Sequence, residues 1–218
     1  MPTATLEEYL ESIYRLSERG TAVRPTQIAE SVGVSGPTVT ATLRRLEAQG
    51  FIERAGTSVV LTTSGRERAI DIVRRHRVAE SFLVDTLGLG WDVAHEEACR
   101  LEHALSPRVV AALEAFLNNP ASCPHGHPIP AADGSVPVGK PGQALCDLPV
   151  GSTASVVSVA SEHNEHMLGY LGALGLRPGE KVSVVDAAPF GGPVTVEVAG
   201  IRTAIAREVA ALVTVTLI

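Results

Sequence analysis

The chain has 218 residues, 45% of them apolar and only 4% aromatic, and a formal net charge of −6. That length accommodates two or three small domains with Ala-, Val- and Leu-rich cores, and the charge argues against bulk affinity for nucleic acid. The apolar runs are far too short for a bilayer span, no basic-then-apolar leader opens the chain, and Cys99 stands far from Cys123 and Cys146, which excludes a disulfide scaffold. The expectation is a soluble cytoplasmic protein with no membrane partner.

Charge is uneven along the chain. Residues 1–75 carry ten Arg and nine Asp/Glu, whereas residues 76–218 carry eight Lys/Arg against fifteen Asp/Glu. A slightly basic first third and an acidic remainder fit local contact with DNA and cation binding elsewhere.

Residues 5–18 read as a helix, with Leu6, Leu10, Ile13 and Leu16 on one stripe and Thr5 as N-cap facing Glu8. Glu8 and Glu11 are neighbours on it, either as a solvated acidic turn or as ligands. After Thr21–Pro25 the pattern becomes a helix-turn-helix. Ile28, Ala29 and Val32 face inward, Gly33 permits the turn, and Val34 plugs its underside. Ser35 caps a second helix with Pro37 in its first turn, where a missing N–H costs nothing. Val39, Leu43 and Leu46 form its core side. Thr26, Ser35, Pro37, Thr38, Thr40, Thr42, Arg44 and Arg45 are left for other faces. Short hydroxyls suit base edges and Arg suits phosphates, so this helix reads as a major-groove reader of double-stranded DNA.

Gly50 ends that helix, and strands at Phe51–Arg54 and Val59–Thr62 flank a turn, which makes a wing. A long helix follows from Thr63 to about Leu87. His76 and Glu80 stand at i,i+4 on it and can chelate together or simply share a hydrogen bond. The next helix, from about Asp92 to Leu105, is the densest in ligand-type groups. His95, Cys99 and His103 step by four and Glu102 lies three beyond Cys99, so all four are predicted to share one face. A further helix at Arg108–Leu117 has an apolar side suited to dimerisation.

Residues 118–149 hold seven of the fourteen prolines and read as a linker or irregular loop. Cys123, His125 and His127 lie inside it. The favoured reading is a turn-rich loop, with a further metal site or redox handle as the alternative. From Gln143, strands at Thr153–Val159, Lys181–Asp186, Val194–Val198 and Leu212–Leu217 surround a helix at Glu162–Leu174, as in a small SH3-like barrel.

With the helix-turn-helix, the wing and the ligand-rich helix in hand, the sequence resembles the diphtheria-toxin-repressor family of metal-dependent transcriptional regulators. This family includes iron-dependent repressors and manganese transport regulators. The resemblance covers nearly the whole chain. It rests most specifically on Ser35-Gly-Pro-Thr-Val39, Arg75-His-Arg77 with Glu80, His95-Glu-Glu-Ala-Cys99-Arg-Leu-Glu-His103 and the Pro128-Ile-Pro130 loop. It implies an α+β chain with a winged helix-turn-helix at 1–73, a helical metal-binding and dimerisation domain at 74–142, and an SH3-like barrel at 143–218.

The resemblance also implies two metal sites per chain. A regulatory site would take Glu8, Cys99, Glu102 and His103. A second would take His76, Glu80 and His95, completed by Glu162 and Glu165 of the barrel. Iron-type relatives carry methionine where Glu8 stands, and manganese-type relatives carry glutamate where Cys99 stands, so this chain is a hybrid. A carboxylate hardens a site and a thiolate softens it; the balance leans to Mn²⁺ over Fe²⁺. The function implied is a homodimeric, metal-activated regulator that binds a palindromic operator and represses metal-uptake genes. Two other readings compete. His95-Glu-Glu-Ala-Cys99 is one residue from a zinc-hydrolase H-E-x-x-H motif, but no positioned base or open coordination position accompanies it. A winged-helix regulator sensing a non-metal signal is the other.

Overall fold

The computed structural model describes residues 3–18, 22–160 and 165–218. The amphipathic stripe at the start forms α1 (Ala4–Glu18), burying Leu6, Leu10, Ile13 and Leu16 together with Tyr9 and Tyr14. It begins before the predicted cap: the N–H groups of Leu6 and Glu7 donate to the Thr3 carbonyl, so Thr5 is an exposed helical residue, not an N-cap.

The reading unit is α2 (Pro25–Val32) and α3 (Gly36–Ala48). Gly33 ends α2 at φ 69°, a left-handed conformation that costs glycine nothing. The Ser35 hydroxyl accepts from the Thr38 N–H and opens α3, with Pro37 in the first turn. Ile28, Val39, Leu43 and Leu46 are fully buried in one core with α1. Thr42 joins that buried side and is not available to a groove, since it stands three and four residues from Val39 and Leu46. Strands β1 (Ile52–Ala55) and β2 (Ser58–Leu61) pair antiparallel with Ile52 opposite Leu61, forming the wing.

Thr62 caps α4 (Thr63–Ser81), which continues as a π-helical turn over Phe82–Thr86. This helix is unbroken across the expected 73/74 boundary. Ile72 and Val73 lie in the N-terminal core, while Val78 and Ala79 lie in two further clusters. It packs against α1 on one side and α5 (Trp91–Leu101) on another. Helix α5 ends four residues short of the predicted Leu105. Pro107 opens α6 (Pro107–Phe116) behind its Ser106 cap, and the residue before a proline resists helical geometry, so residues 102–105 form a turn.

The region expected to be a linker is partly built. Between 121 and 129 the backbone closes a tight turn, with the Cys123 N–H donating to the His127 carbonyl and the Ile129 N–H to that of Ala121. Gly126, at φ 87°, lets this turn lie on the barrel, since a Cβ there would sit 2.1 Å from the Val157 carbonyl oxygen. The barrel itself is a six-stranded antiparallel sheet. Its strands are β3 (Gln143–Ala144), β4 (Thr153–Val159), β5 (Lys181–Ala187), β6 (Val194–Val198), β7 (Ile201–Ile205) and β8 (Val213–Leu217), ordered β3-β8-β4-β5-β6-β7. Helices α7 (Glu165–Ala173) and α8 (Arg207–Ala210) complete it. The edge strand β7 escaped the sequence reading because only Ile205 of its five residues is buried, so it lacks an alternating pattern. Trp91, at the start of α5, is buried in the barrel's core beside Leu168 and Leu171, which docks the barrel onto the ligand-rich helix. Among the described residues, no helix is long and apolar enough to cross a membrane.

Candidate metal centre and DNA-reading surface

Helices α1, α4 and α5 bring a set of ligand-type side chains into one buried region. Its middle is His76, 1% exposed, on the inward face of α4. His76 Nδ1 lies 2.7 Å from Glu102 Oε2, and Nε2 lies 3.5 Å from Glu80 Oε1. Glu80 Oε1 is also 3.1 Å from His95 Nδ1. The expected trio His76, Glu80 and His95 is therefore assembled around one carboxylate. Glu162 lies outside the described residues, as does the side chain of Glu165.

The other expected set is arranged differently. Cys99 sits with His76 and His95, its Sγ 3.9 Å from a ring nitrogen of each. Glu102 and His103 lie past the end of α5, in the turn, so His103 does not continue the face of His95 and Cys99. His103 Nδ1 is 2.9 Å from Glu7 Oε2, and its Nε2 is 3.3 Å from Glu102 Oε1. Glu7, a buried partner of Arg68, was not singled out in the sequence because it sits on the apolar side of α1. Glu8 is exposed and borders a small pocket with Glu11, His95 and Cys99. Glu8, Cys99, Glu102 and His103 thus do not form one cluster among the described residues.

Among the described residues, ligand atoms within 4.8 Å of one another form three groups: Glu11, His76 and Glu102; His76, His95 and Cys99; and Glu80, Cys123 and His125. All three residues of the first group and all three of the last are buried. The last group places Cys123 and His125, read in the sequence as parts of a turn-rich loop, beside Glu80 of α4. The turn on β4 carries His125 to full burial, with Nδ1 3.0 Å from Glu80 Oε2 and the ring edge-on to Trp91 at 4.5 Å. Neither His125 nitrogen has a hydrogen bond of good geometry among the described residues. A buried imidazole and thiol around the Glu80 carboxylate are donor types that a cation can use once the imidazole gives up its proton.

Electrostatics describe a region crowded with buried carboxylates. Burial, then repulsion from Glu11, holds the Glu102 carboxyl well above the usual range. Burial pushes the Cys99 thiol up, with Glu102 and Glu11 adding to it. Burial drives His76 down to about 4, so its imidazole is neutral and able to donate a lone pair. Burial opposes charge on His125 too, but Glu80 overrides it and raises that imidazole to about 10. Such a set of N, O and S donors fits a divalent transition metal.

The reading surface is separate. Thr26, Ser35, Pro37, Thr38, Thr40, Arg44 and Arg45 are all exposed, on α2 and α3 and the turn between them.

Comparison with known proteins agrees with this geometry. Residues 1–60 match the family model "Iron dependent repressor, N-terminal DNA binding domain", and residues 62–131 match "Iron dependent repressor, metal binding and dimerisation domain". Residues 143–217 match the FeoA domain. The iron-dependent repressor IdeR of Mycobacterium tuberculosis is 40% identical over 210 residues, covering 90% of this chain and 89% of the relative. The chain belongs to the iron-dependent repressor family. The diphtheria toxin repressor of Corynebacterium diphtheriae is 41% identical over 130 residues, 59% of this chain and 58% of the relative. Among solved structures, a manganese-dependent transcriptional repressor in complex with manganese is similar at TM-score 0.89 and 35% identity, over 98% of this chain and 100% of that one. ScaR with bound Cd²⁺ is similar at TM-score 0.82 and 31% identity, over the full length of both. The family consists of metal-dependent, DNA-binding transcriptional repressors, not enzymes, which removes the hydrolase reading.

Proposed function

We propose that this protein is a cytoplasmic homodimeric repressor of metal-uptake genes that binds a palindromic operator when Mn²⁺, or less readily Fe²⁺, is available. The observation that carries the reading is the buried Glu11–His76–Glu102 group, which joins three helices by ligand-type side chains alone. A bound divalent ion supplies concentrated positive charge that carboxylates, neutral imidazoles and thiolates share as ligands. Glu11 stands at the middle of α1, His76 belongs to α4, and Glu102 closes α5, so ligation by all three fixes α1 against the helical domain. Helix α1 shares its core with α2 and α3, and its position sets where α3 lies.

His76 and Glu80 link this group to the second set of donors: His95, Cys99, Cys123 and His125. We assign two ion sites to these residues, with Glu8 and His103 at the margin of the first and Glu162 and Glu165 as candidate additions to the second. Two features favour Mn²⁺. Glu8, Glu11 and Glu102 are hard ligands, and burial holds the Cys99 thiol against the proton loss that ligation requires. Exposed Val109 and Phe116 on α6 give the dimer an apolar face. In the dimer, two copies of α3 would address successive major grooves about 34–36 Å apart.

Anaerobic titration of operator binding with Mn²⁺, Fe²⁺ and Zn²⁺ tests the reading. Half-saturation at the lowest concentration for Mn²⁺ is expected, with loss of binding on chelation; binding indifferent to metal would favour a regulator of a non-metal signal. Glu8→Met should move the preference toward Fe²⁺, and an unchanged Mn²⁺/Fe²⁺ ratio would exclude Glu8 as its source.

A further inference from the structure

The centre contains a cation of its own. Arg15 follows Glu11 by one turn of α1 and donates from Nη2 to Glu11 Oε1 at 2.5 Å. Both side chains are nearly enclosed, 12% exposed for Arg15 and 8% for Glu11. The Arg15 Nε is buried without a partner among the described residues. Beside them lies a pocket of about 110 Å³, lined by Glu8, Glu11, Arg15 and Cys99 together with Ser31 and Val32 of α2.

Most pairs of this kind are surface i,i+4 contacts that contribute little. This one differs in two respects. Its carboxylate belongs to the Glu11–His76–Glu102 group, and it is shielded from solvent. Glu11 and Glu102 crowd together in that group without any other guanidinium or ammonium on Glu11 among the described residues. A divalent ion that takes Glu11 as ligand must draw on the same carboxylate and meets a like charge one turn away.

We propose that Arg15 is the resident counter-cation of the metal-free centre, holding Glu11 until a divalent ion displaces it, and so sets how much free metal is needed to fill the site. This rests on the reading of Glu11, His76 and Glu102 as metal ligands. The two states are linked: whatever the Arg15–Glu11 contact contributes to the metal-free fold is subtracted from metal binding. The adjoining pocket gives the guanidinium somewhere to go, toward Ser31 of α2, without moving the backbone of α1. A charge-assisted bond in a shielded setting corresponds to about a tenfold change in affinity.

The test is Mn²⁺ calorimetry together with melting of the metal-free protein, for the full chain and for Arg15→Met and Arg15→Gln. Both variants should bind Mn²⁺ about tenfold more tightly and melt at lower temperature without metal; Arg15→Lys should lie between them and the parent. Folded variants with unchanged or weaker Mn²⁺ binding would overturn the proposal, the weaker case making Arg15 an organiser of the ligands. A parent protein that binds no Mn²⁺ would instead refute the metal reading itself. If neither variant folds, the Arg15 Nε–H resonance of the parent decides. It should exchange slowly without metal and quickly once Cd²⁺ saturates the site, and slow exchange in both states would overturn the proposal.

Discussion

His127 shows at residue scale how burial turns a histidine into a pH-dependent contribution. Its Nε2–H donates to the Val159 carbonyl at 2.9 Å, a bond the neutral ring makes as the Nε2–H tautomer. Burial, reinforced by Arg77, lowers it to about 4, below the unfolded reference of about 6.5. A histidine with a depressed folded value binds fewer protons in the folded state. Its stabilising contribution is therefore intact above pH 6.5 and lost as the pH falls toward 4. In chelator-treated protein, His127→Gln keeps a donor without the titration. The melting-temperature advantage of the parent over this variant should shrink from pH 7 to pH 5, and a gap that stays constant would contradict the assignment. Neighbouring donor side chains were legible in the sequence where they stood at i,i+4 on a helix, as His76 and Glu80 do. Glu7, Glu11 and His125 were not, or were set aside. Their roles depend on which helices or strands meet, and spacing along one element carries no such information.

At the scale of elements, α3 was readable because capping, proline placement and apolar period agree on one helix with one buried face. Leu43 is fully buried at the centre of that face, so Leu43→Ala should cost about 2–5 kcal/mol in urea unfolding. Arg44 is exposed and has no part in the core. Arg44→Ala should leave stability near that of the parent, weaken operator and non-specific DNA alike, and reduce the salt dependence of binding by about one phosphate contact. A loss confined to one base position would instead make Arg44 a base reader. Helix α5 was legible only in part. Its apolar and ligand pattern runs smoothly to Leu105, but Pro107 constrains the residues before it, and the real end after Leu101 is what turns His103 toward Glu7. The 121–129 turn was illegible for a related reason: its own backbone bonds close it, but its place beside Glu80 comes from bonds to Val159 of β4, far away in sequence.

At the scale of the whole molecule, four apolar clusters are strung along α4 and α5 among the described residues, and the donor groups lie where those clusters meet. Trp91 carries the barrel, since its indole is shared between α5, the barrel core, Arg177 and His125. Trp91→Ala should undock the barrel while leaving the N-terminal core folded, and faster elastase cleavage after exposed Val138 would report it. Unchanged cleavage would mean that the docking does not depend on the indole. The three-part organisation was visible in the sequence from pattern changes alone, whereas the convergence of helix, turn and barrel on Glu80 was not. His76 stands where the groups join, touching Glu102 on one side and Glu80 on the other. The most direct measurement is therefore Mn²⁺-dependent binding, by fluorescence anisotropy, of a duplex that the parent protein selects from random DNA. The account predicts that the parent binds with Mn²⁺ and releases on chelation, and that His76→Ala, folded by circular dichroism, fails to bind at any Mn²⁺ concentration that saturates the parent. Parent binding that survives chelation, or a His76→Ala protein that keeps its metal response, would contradict it.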